Sequence, residues 1–533
     1  MSHDLAARAG LDALLSRLRP ETPYGRAAKA RGTLLASREA LERRWDLTDA
    51  ALALLAGLDG DRVRDDRIRH HLCRLPRLPG EARGAFDEVE LFQLKKFLFN
   101  HARLLELLPS DTRERFGLGP LPAELLGLLG RGRQTDETFH VADAYDPELA
   151  DVRGALRGND AAGLRLREAH EEAVRARFGF AFEGRAFLLV PRGRLGDPAV
   201  AAGLLDVEPW DAAQLCVRPR PSAEALRLGE ERAALLARER ALEARVLESL
   251  SAPLRAALPL LFAQSEVIEA FDLALAGARL AREAGLTRPV LGDGPVRIEK
   301  GRHLPTEELC AAIGVPYTPL DASFEPGPTV LFGSNMGGKT VVLKTLAFLQ
   351  LAAQSGLFVP ARRFETRVFE RIHWIGEGSA PEEERGLSGF GFEIRRFAEA
   401  HADFGDTTLA LFDEFARTTS SGEAEALLTA ILEELAARPG AVVLFSTHFR
   451  GVRRLPGVRY LRMGGLDRAR LHLEAVADED LAARIRRIDA LMRYSLEPDL
   501  PGERRSDAIA VARLLGLSPA LARRAEELLH DGE

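Results

Sequence analysis

A glycine-rich loop that ends in a lysine and a threonine carries the clearest chemistry in the sequence. It reads Gly333-Ser334-Asn335-Met336-Gly337-Gly338-Lys339-Thr340 and has the spacing GxxxxGK[ST]. An apolar run before it, 329–332, predicts a strand, and the residues after it, 341–346, predict a helix. Glycines let backbone amides close around phosphate oxygens, while Lys339 can reach the β/γ-phosphates and the Thr340 hydroxyl can bind Mg²⁺. The sequence therefore predicts a site for a nucleoside triphosphate.

Two acidic residues follow a second apolar run, 409–412, downstream of this loop. They are Asp413 and Glu414. An acid at the end of a buried strand can hold Mg²⁺, and the next carboxylate can orient the attacking water. We assign Asp413 to the metal and Glu414 to the general base.

A third apolar run, 442–445, leads into Ser446-Thr447-His448. A polar residue and an imidazole at this position can sense the γ-phosphate and its water. The alternative is that His448 merely caps a strand. All three apolar runs predict buried parallel strands, because open α/β sheets gather their chemistry at the carboxyl ends of such strands.

The glycine-rich loop also resembles that of a known family. GSNMGGKT is similar to the GPNMGGKS loop of the MutS family of DNA mismatch repair ATPases, with Ser334 in place of proline. The following TLAFLQLAAQSGLFVPA, 345–361, also resembles that family. Upstream, 301–303 resembles the GRHP segment, with Leu304 before the proline. The resemblance extends from about Glu266 to the C-terminus.

The resemblance implies further site residues. LSGFGFE, 387–393, resembles the ST-F-x-x-E signature of MutS and related ABC-type ATPases, whose serine reaches the nucleotide of the other subunit. Ser388 would then complete composite ATP sites in a homodimer or a MutS-like heterodimer; the alternative is an ordinary surface loop. Tyr317 lies near where the family offers an aromatic face to adenine, and Asn335 matches the family's loop asparagine.

One segment departs from the family pattern. Phe415-Ala416-Arg417-Thr418-Thr419-Ser420 stands where the family usually has IGRGTS. Ala416 and Thr418 replace two glycines, which restricts the backbone of this loop. Arg417, Thr419 and Ser420 match. The departure bears on the subfamily more than on the ATPase chemistry.

Length and pattern predict a mixed architecture. A chain of 533 residues suggests roughly three or four domains. We expect an all-α core and lever/clamp helices, followed by an α/β P-loop (ABC-type) ATPase domain and a small helical C-terminal tail. The predicted boundaries are a helical core at 1–135, levers with a clamp-like insertion at 136–289, the ATPase domain at 290–480 and the tail at 481–533.

The lever region is predicted in more detail. A charged helix covers 147–177, two short strands around a turn cover 180–191, and a second lever covers 222–250 with a spaced apolar seam. Coiled-coil pairing explains the seam, and a nucleic-acid clamp at the lever tip is the functional alternative. Two amphipathic helices in the tail, split at 516–519, resemble the helix-turn-helix tail that supports dimerisation in MutS proteins. Near the N-terminus TPYGRAAKAR resembles the T-x-x-G start of the MutS helical core.

Composition places limits on partners and location. Hydrophobic residues make up 46% and charged residues 29%, as in globular proteins. The net charge is 73 − 80 = −7, so composition itself gives no support for DNA binding. Three scattered cysteines fit a reducing cytoplasm. We expect no export signal, no membrane partner and no apolar run long enough to span a bilayer. The group His70, His71 and Cys73 is interpreted as helix surface.

Three functions are compatible with these observations. The first is a DNA-associated MutS-like ATPase, a dimeric clamp that uses ATP and Mg²⁺. Direct mispair recognition is not expected, because 332 residues before the loop are taken up by core and levers, and because the Phe-x-Glu letters of 86–88 have no preceding reader domain. A C-terminal nuclease-like extension is not expected either.

The second function is an ATP-dependent reactivation or remodelling factor for a protein client, such as the cobalamin-dependent lysine 5,6-aminomutase. The departure of the loop 415–420 from the family pattern and the negative net charge of the chain favour this function. The third is a structural scaffold with a vestigial site, which the intact residues Lys339, Thr340, Asp413, Glu414 and His448 disfavour.

Overall fold

The structure is a computed structural model that describes residues 3–80, 84–132, 134–135, 138–195, 201–333, 338–376, 389–438, 440–467, 481–500 and 507–531. The chain divides into two compact units. The first unit comprises 1–69, 109–117 and 267–533, and the second comprises 70–108 and 118–266. The first unit therefore combines N-terminal helices with the segment that carries the glycine-rich loop. The four-domain boundaries expected from sequence stay a prediction.

Helices dominate the first 284 residues, in line with the predicted helical core and levers. The helices of the described chain are His3–Arg8, Leu11–Arg17, Pro23–Arg31, Arg38–Gly57, Arg62–Arg74, Glu88–Leu107, Ser110–Phe116, Ala123–Leu129, Pro147–Phe178, Ala223–Ala284, Leu304–Ile313, Lys339–Gln354, Gly389–His401, Ser421–Ala436, Leu481–Leu491, Ala508–Leu515 and Pro519–Asp531. The two predicted helices of the tail are the last two of this series.

The strands form three sheets within the described residues. They are β1 (Leu188–Pro191), β2 (Leu205–Pro209), β3 (Gln214–Pro219), β4 (Val290–Leu291), β5 (Val296–Gly301), β6 (Leu320–Phe324), β7 (Gly327–Phe332), β8 (Arg363–Thr366), β9 (Arg371–Ile375), β10 (Thr408–Asp413), β11 (Val442–Thr447), β12 (Arg459–Leu466) and β13 (Met492–Pro498). The sheet orders are β1-β3-β2, β4-β8-β5-β6 and β13-β12-β7-β11-β10-β9.

The six-stranded sheet contains the three strands predicted from apolar runs. β7, β10 and β11 are parallel neighbours, with β11 in the middle. Their residues are buried on both faces, except for the half-exposed Asp413. Strands covered on both faces read as continuous apolar runs, which is why the sequence revealed them. The prediction of buried parallel strands is confirmed, and β13 adds an antiparallel edge.

The T-x-x-G segment has a packing role in the first unit. Thr22 caps the helix Pro23–Arg31, because its hydroxyl accepts a hydrogen bond from the Gly25 amide at 2.9 Å. The same hydroxyl donates to Asp272 Oδ2 at 2.7 Å. A Cβ at Gly25 would lie 2.2 Å from that oxygen. The threonine and the glycine are therefore both required where the buried Asp272 meets the first helices.

The helix Ala223–Ala284 is longer than the predicted lever of 222–250. It has 62 residues and continues through Pro253 and Pro259. It also contains a window of mean hydropathy 1.3 that could cross a membrane by length and composition alone, contrary to the expectation that no run is long enough. Core helices of globular proteins pass the same test, and a third of the window is buried within the protein.

The small sheet of the second unit corrects one prediction. Of the two strands expected within 180–191, only the second forms, as β1. The backbone is left-handed at Glu183 (φ 49°) and Gly184 (φ 79°), and such residues cannot continue a strand. β1 instead pairs with β3, antiparallel, with Leu188 opposite Val217.

The Phe-x-Glu letters at Phe86, Asp87 and Glu88 begin a helix of the second unit. Phe86 is fully buried, and its amide donates to Ser251 Oγ at 2.8 Å. Asp87 and Glu90 form a capping box at the start of Glu88–Leu107. These residues therefore present no exposed aromatic wedge.

Candidate nucleotide and metal site

The site lies at the carboxyl edge of the parallel strands of the first unit. β7 ends at Phe332, and the helix Lys339–Gln354 starts six residues after Gly333. Four predicted loop residues (Ser334, Asn335, Met336 and Gly337) lie outside the described residues, as does Ser388. Gly338 takes a left-handed backbone, φ 86°, as the N-cap of the helix. The strand predicted before the loop and the helix predicted after it are both present.

Lys339 is buried beside this loop. Its side chain is 3% exposed, and its Nζ donates to the Gly333 carbonyl at 2.7 Å. The same nitrogen lies 3.7 Å from Glu414 Oε1. Burial lowers the pKa of Lys339, whereas the carboxylates of Glu414 and Asp413 act in the opposite direction. A buried ammonium ion is thus held where the strand ends and the helix begins.

Thr340 and Asp413 are in contact. Thr340 Oγ1 donates to Asp413 Oδ1 at 3.2 Å, and Ser446 Oγ donates to the same oxygen at 2.7 Å. Ser446 also accepts the Glu414 amide at 3.0 Å. Register explains the arrangement, because Asp413 and Ser446 are paired residues on β10 and β11. The sequence motif at 446–448 pointed to this region but not to Ser446 as the group that orients Asp413.

The donors at this point suit a hard cation. A hydroxyl and a carboxylate are oxygen ligands of the kind Mg²⁺ takes, and Mg²⁺ usually completes its shell with phosphate oxygens and water. Among the described residues there is no group of three or more His, Cys, Asp or Glu that could hold a metal by itself. His70 and Cys73 are exposed on the helix Arg62–Arg74, as interpreted from sequence, whereas His71 is half-buried, with its Nδ1 3.0 Å from Asn100 Oδ1.

Glu414 stands on a strained loop between two cations. Its backbone is left-handed, with φ 53°, and so is that of Ala416, with φ 62°. Such conformations cost non-glycine residues about 1–3 kcal/mol and cluster at functional sites. Glu414 Oε2 accepts from Arg417 at 3.3 Å, while Oε1 faces Lys339. Ala416, which stands where the family usually has glycine, thus adopts a backbone conformation that favours glycine.

Glu393 links the signature segment to this loop. Its Oε2 accepts a hydrogen bond from the Ala416 amide at 3.0 Å. Burial raises the pKa of Glu393, and this hydrogen bond opposes the shift. Glu393 belongs to the helix Gly389–His401, which starts directly after Ser388. Glu393 is part of the motif LSGFGFE, 387–393, but the sequence did not predict its contact with the Ala416 amide.

His448 and Tyr317 occupy different parts of the site. His448 is exposed and follows the last residue of β11, with its ring 4.4 Å from that of Phe449. The Tyr317 hydroxyl accepts the His303 amide at 2.8 Å. Tyr317 also lines a cavity of about 230 Å³ that reaches Gly338.

This cavity is the main feature that the sequence did not reveal. Its walls include Val341, Met463 and Tyr494. A Cβ at Gly338 would lie 3.1 Å from Tyr494 Cδ1 and 3.6 Å from Met463 Cε. The volume far exceeds the ~30 Å³ share of one water molecule in the liquid. An apolar, partly aromatic cavity therefore adjoins the start of the glycine-loop helix.

The fold and the site define an α/β protein in which a buried lysine, a threonine hydroxyl and two carboxylates meet at one sheet edge. The family model described as MutS domain V matches residues 329–531, which include this edge. The chain belongs to the MutS family.

Curated relatives match much of the chain. Endonuclease MutS2 of Thermomicrobium roseum is 31% identical over 483 residues, 85% of this chain and 55% of that protein. The DNA mismatch repair protein MutS of Desulfosudis oleivorans is 27% identical over 529 residues, 94% of this chain and 56% of that protein. The DNA mismatch repair protein MutS of Myxococcus xanthus is 32% identical over 310 residues, which are 57% of this chain and 33% of that protein. The chain thus spans about half or less of their length.

Proposed function

We propose that this protein is a MutS-like ATPase in which ATP binding and hydrolysis drive a dimeric clamp on DNA. The observation that carries the proposal is the meeting of Lys339 and Thr340 with Glu414 and Asp413 at one sheet edge. The family match over the same residues supports it.

The P-loop at 333–340 is assigned to the phosphates. Backbone amides of the loop and the start of the helix Lys339–Gln354 favour negative charge. Lys339 would exchange its bond to the Gly333 carbonyl for the β/γ-phosphates. Thr340 and Asp413 would hold Mg²⁺, whose charge offsets that of the phosphates.

Glu414 is assigned to the general base. Its carboxylate lies between Lys339 and Arg417, and as the base it would accept a proton from the attacking water. His448, at the end of the neighbouring β11, is assigned to the γ-phosphate. Tyr317 is assigned to the adenine, because it lines the cavity that adjoins Gly338.

A dimer is part of the proposal. Ser388 of one chain would complete the site of the other, in a homodimer or a MutS-like heterodimer. The tail helices Ala508–Leu515 and Pro519–Asp531 and the turn between them support an association role, because they expose large apolar side chains, between 38% and 61%: Leu515, Leu517, Leu521 and Leu528. ATPase rate against protein concentration tests this. A specific rate independent of concentration in a demonstrated monomer contradicts the composite site.

DNA as the partner draws support from relatives named as DNA mismatch repair proteins and endonucleases. No observation in the structure favours the alternative of a reactivation factor for a cobalamin-dependent enzyme. We also propose a cytoplasmic location, with which three free cysteines agree.

The deciding experiment measures ATPase rate with and without duplex, branched and single-stranded DNA at low and moderate salt. Binding through phosphates weakens steeply as salt rises. We expect DNA to change the ATPase rate and this change to diminish as salt rises. Lys339→Ala, which should not bind nucleotide, measures the background rate. A robust rate that is indifferent to every DNA would contradict the clamp and point to a protein client.

A further inference from the structure

One cation beside the glycine-rich loop has no role in the function proposed above. Arg450 lies two residues after His448, in the segment that leaves β11. Its guanidinium lies over the ring of Phe332, with Cζ 5.3 Å from the ring centre. Phe332 is the last residue of β7 and directly precedes Gly333, the first residue of the P-loop. Arg450 therefore places a positive charge at the edge of the sheet where the P-loop begins.

The charge of Arg450 also acts on the lysine of the P-loop. Burial is the main cause that lowers the pKa of Lys339, and the positive charge of Arg450 acts in the same direction. The two cations are thus close enough to repel each other. A nucleoside triphosphate remains an anion after it has bound one Mg²⁺, so its phosphates would relieve this repulsion. Two like charges therefore stand where the phosphates are proposed to bind.

Arg450 is held loosely, in contrast to the nearby Arg454. Its Nη1 lies 3.8 Å from Oδ1 of Asp499, which is too long for a hydrogen bond, and its side chain is 48% exposed. Arg454 instead donates from Nη2 to Oδ2 of Asp499 and from Nη1 to the Asp499 carbonyl, the latter at 2.7 Å. Arg454 by itself therefore keeps this buried carboxylate paired. The guanidinium of Arg450 can leave Asp499 without isolating a buried charge.

We propose that Arg450 binds the terminal phosphate of the nucleotide and makes the site selective for a triphosphate over a diphosphate. The inference rests on the proposed function, which assigns the phosphates to the P-loop. Because β11 lies between β7 and β10, the segment that carries Arg450 starts beside both the P-loop and the carboxylates at which hydrolysis is proposed. A guanidinium binds phosphate oxygens through two parallel hydrogen bonds. Arg450 exchanges its long ion pair with Asp499 for these bonds, and a diphosphate lacks the group that accepts them.

The test compares a triphosphate with a diphosphate. Equilibrium binding of ATPγS and of ADP, each with Mg²⁺, is measured for the full chain. We expect Arg450→Ala to bind ATPγS about 10- to 100-fold more weakly than wild type, as for lost hydrogen bonds to a charged group, and ADP within about threefold of wild type. Arg450→Lys keeps the charge without the planar fork and should recover part of the ATPγS affinity. Arg453→Ala is the matched control, because it removes the same charge from an exposed residue of the same segment.

A labelling experiment on the wild-type protein tests the inference even if Arg450→Ala fails to fold. Phenylglyoxal modifies exposed guanidinium groups, and mass spectrometry locates the modified arginines. We expect Arg450 to be modified in the free protein and with ADP but protected by ATPγS, while Arg453 is modified in all three.

Equal modification of Arg450 with ADP and with ATPγS overturns the inference. So does an Arg450→Ala variant that binds ATPγS as wild type does, or that loses affinity equally for both nucleotides. A wild-type protein that binds no nucleotide overturns the proposed function itself, which is a distinct result.

Discussion

Thr340 donates a hydrogen bond to Asp413 across 3.2 Å, although the two residues are 73 positions apart in the chain. One stands at the start of the P-loop helix and the other at the end of β10. Ser446 donates to the same carboxylate oxygen from β11. Both proposed metal ligands are therefore held together before any cation arrives, so little reorganisation is needed to bind Mg²⁺.

The hydroxyl of Thr340 should be required for this metal site. We expect Thr340→Val, which keeps the shape and removes the hydroxyl, to weaken Mg²⁺ activation of the ATPase by about 10- to 100-fold. Thr340→Ser keeps the hydroxyl and is the matched control. The measurement is ATPase rate as a function of Mg²⁺ concentration at fixed ATP. Equal Mg²⁺ dependence in the Val and Ser variants would show that Thr340 is not a ligand.

Lys339 and Glu414 should separate binding from hydrolysis. Lys339→Ala removes the buried ammonium ion, and we expect it to abolish nucleotide binding. Glu414→Gln keeps the shape of the side chain and removes the base, so it should bind ATP, hydrolyse it about 10²–10⁴-fold more slowly and accumulate the closed dimer. Binding and single-turnover hydrolysis distinguish the two variants. Normal hydrolysis by the Gln variant would refute the base assignment.

Local patterns predicted the parts of the site that lie at strand ends. β7, β10 and β11 are largely continuous apolar runs. Asp413 is the last residue of β10, His448 directly follows β11, and Lys339 lies a short loop beyond β7. At these places the buried strand and the site residue lie close together in the sequence. Both could therefore be predicted without knowing which distant segments are in contact.

Contacts between distant segments could not be predicted in the same way. Tyr494 and Asp489 border the cavity beside Gly338 although they lie some 150 residues further along the chain, and no motif marks them. The contact of Glu393 with the Ala416 amide likewise depends on tertiary packing. The missing strand within 180–191 reflects the left-handed backbone at Glu183, which a β-rich composition does not reveal.

Gly25 provides a test of the first unit's packing. Its added Cβ in Gly25→Ala would approach Asp272 Oδ2 to 2.2 Å and Pro20 Cβ to 2.8 Å. We expect the free energy of unfolding to fall by about 2 kcal/mol or more, because overpacking displaces a buried, hydrogen-bonded carboxylate. The midpoint of urea unfolding measures the change.

Gly57→Ala is the matched control, since its added Cβ meets nothing within 4 Å at the end of the helix Arg38–Gly57. Alanine favours helix over glycine by up to about 1 kcal/mol, so this variant should be neutral or slightly stabilised. Similar midpoints for the two variants would contradict the packing of Gly25 against Asp272.

His101 should make the second unit less stable in acid. Burial lowers its pKa to about 4, although a hydrogen bond to Gln264 acts in the opposite direction. The unfolded chain, with the ordinary pKa of 6.5, binds this proton more readily, so the free energy of unfolding falls as the pH drops from about 6.5 to about 4. Between pH 6.5 and 5 the loss from this residue is about 2 kcal/mol. His101→Gln retains a partner for Gln264 and does not titrate. Urea unfolding at pH 7 and pH 5 should show a pH dependence smaller by that amount in the variant, and equal slopes would mean that His101 is protonated as readily in the folded protein as in the unfolded chain.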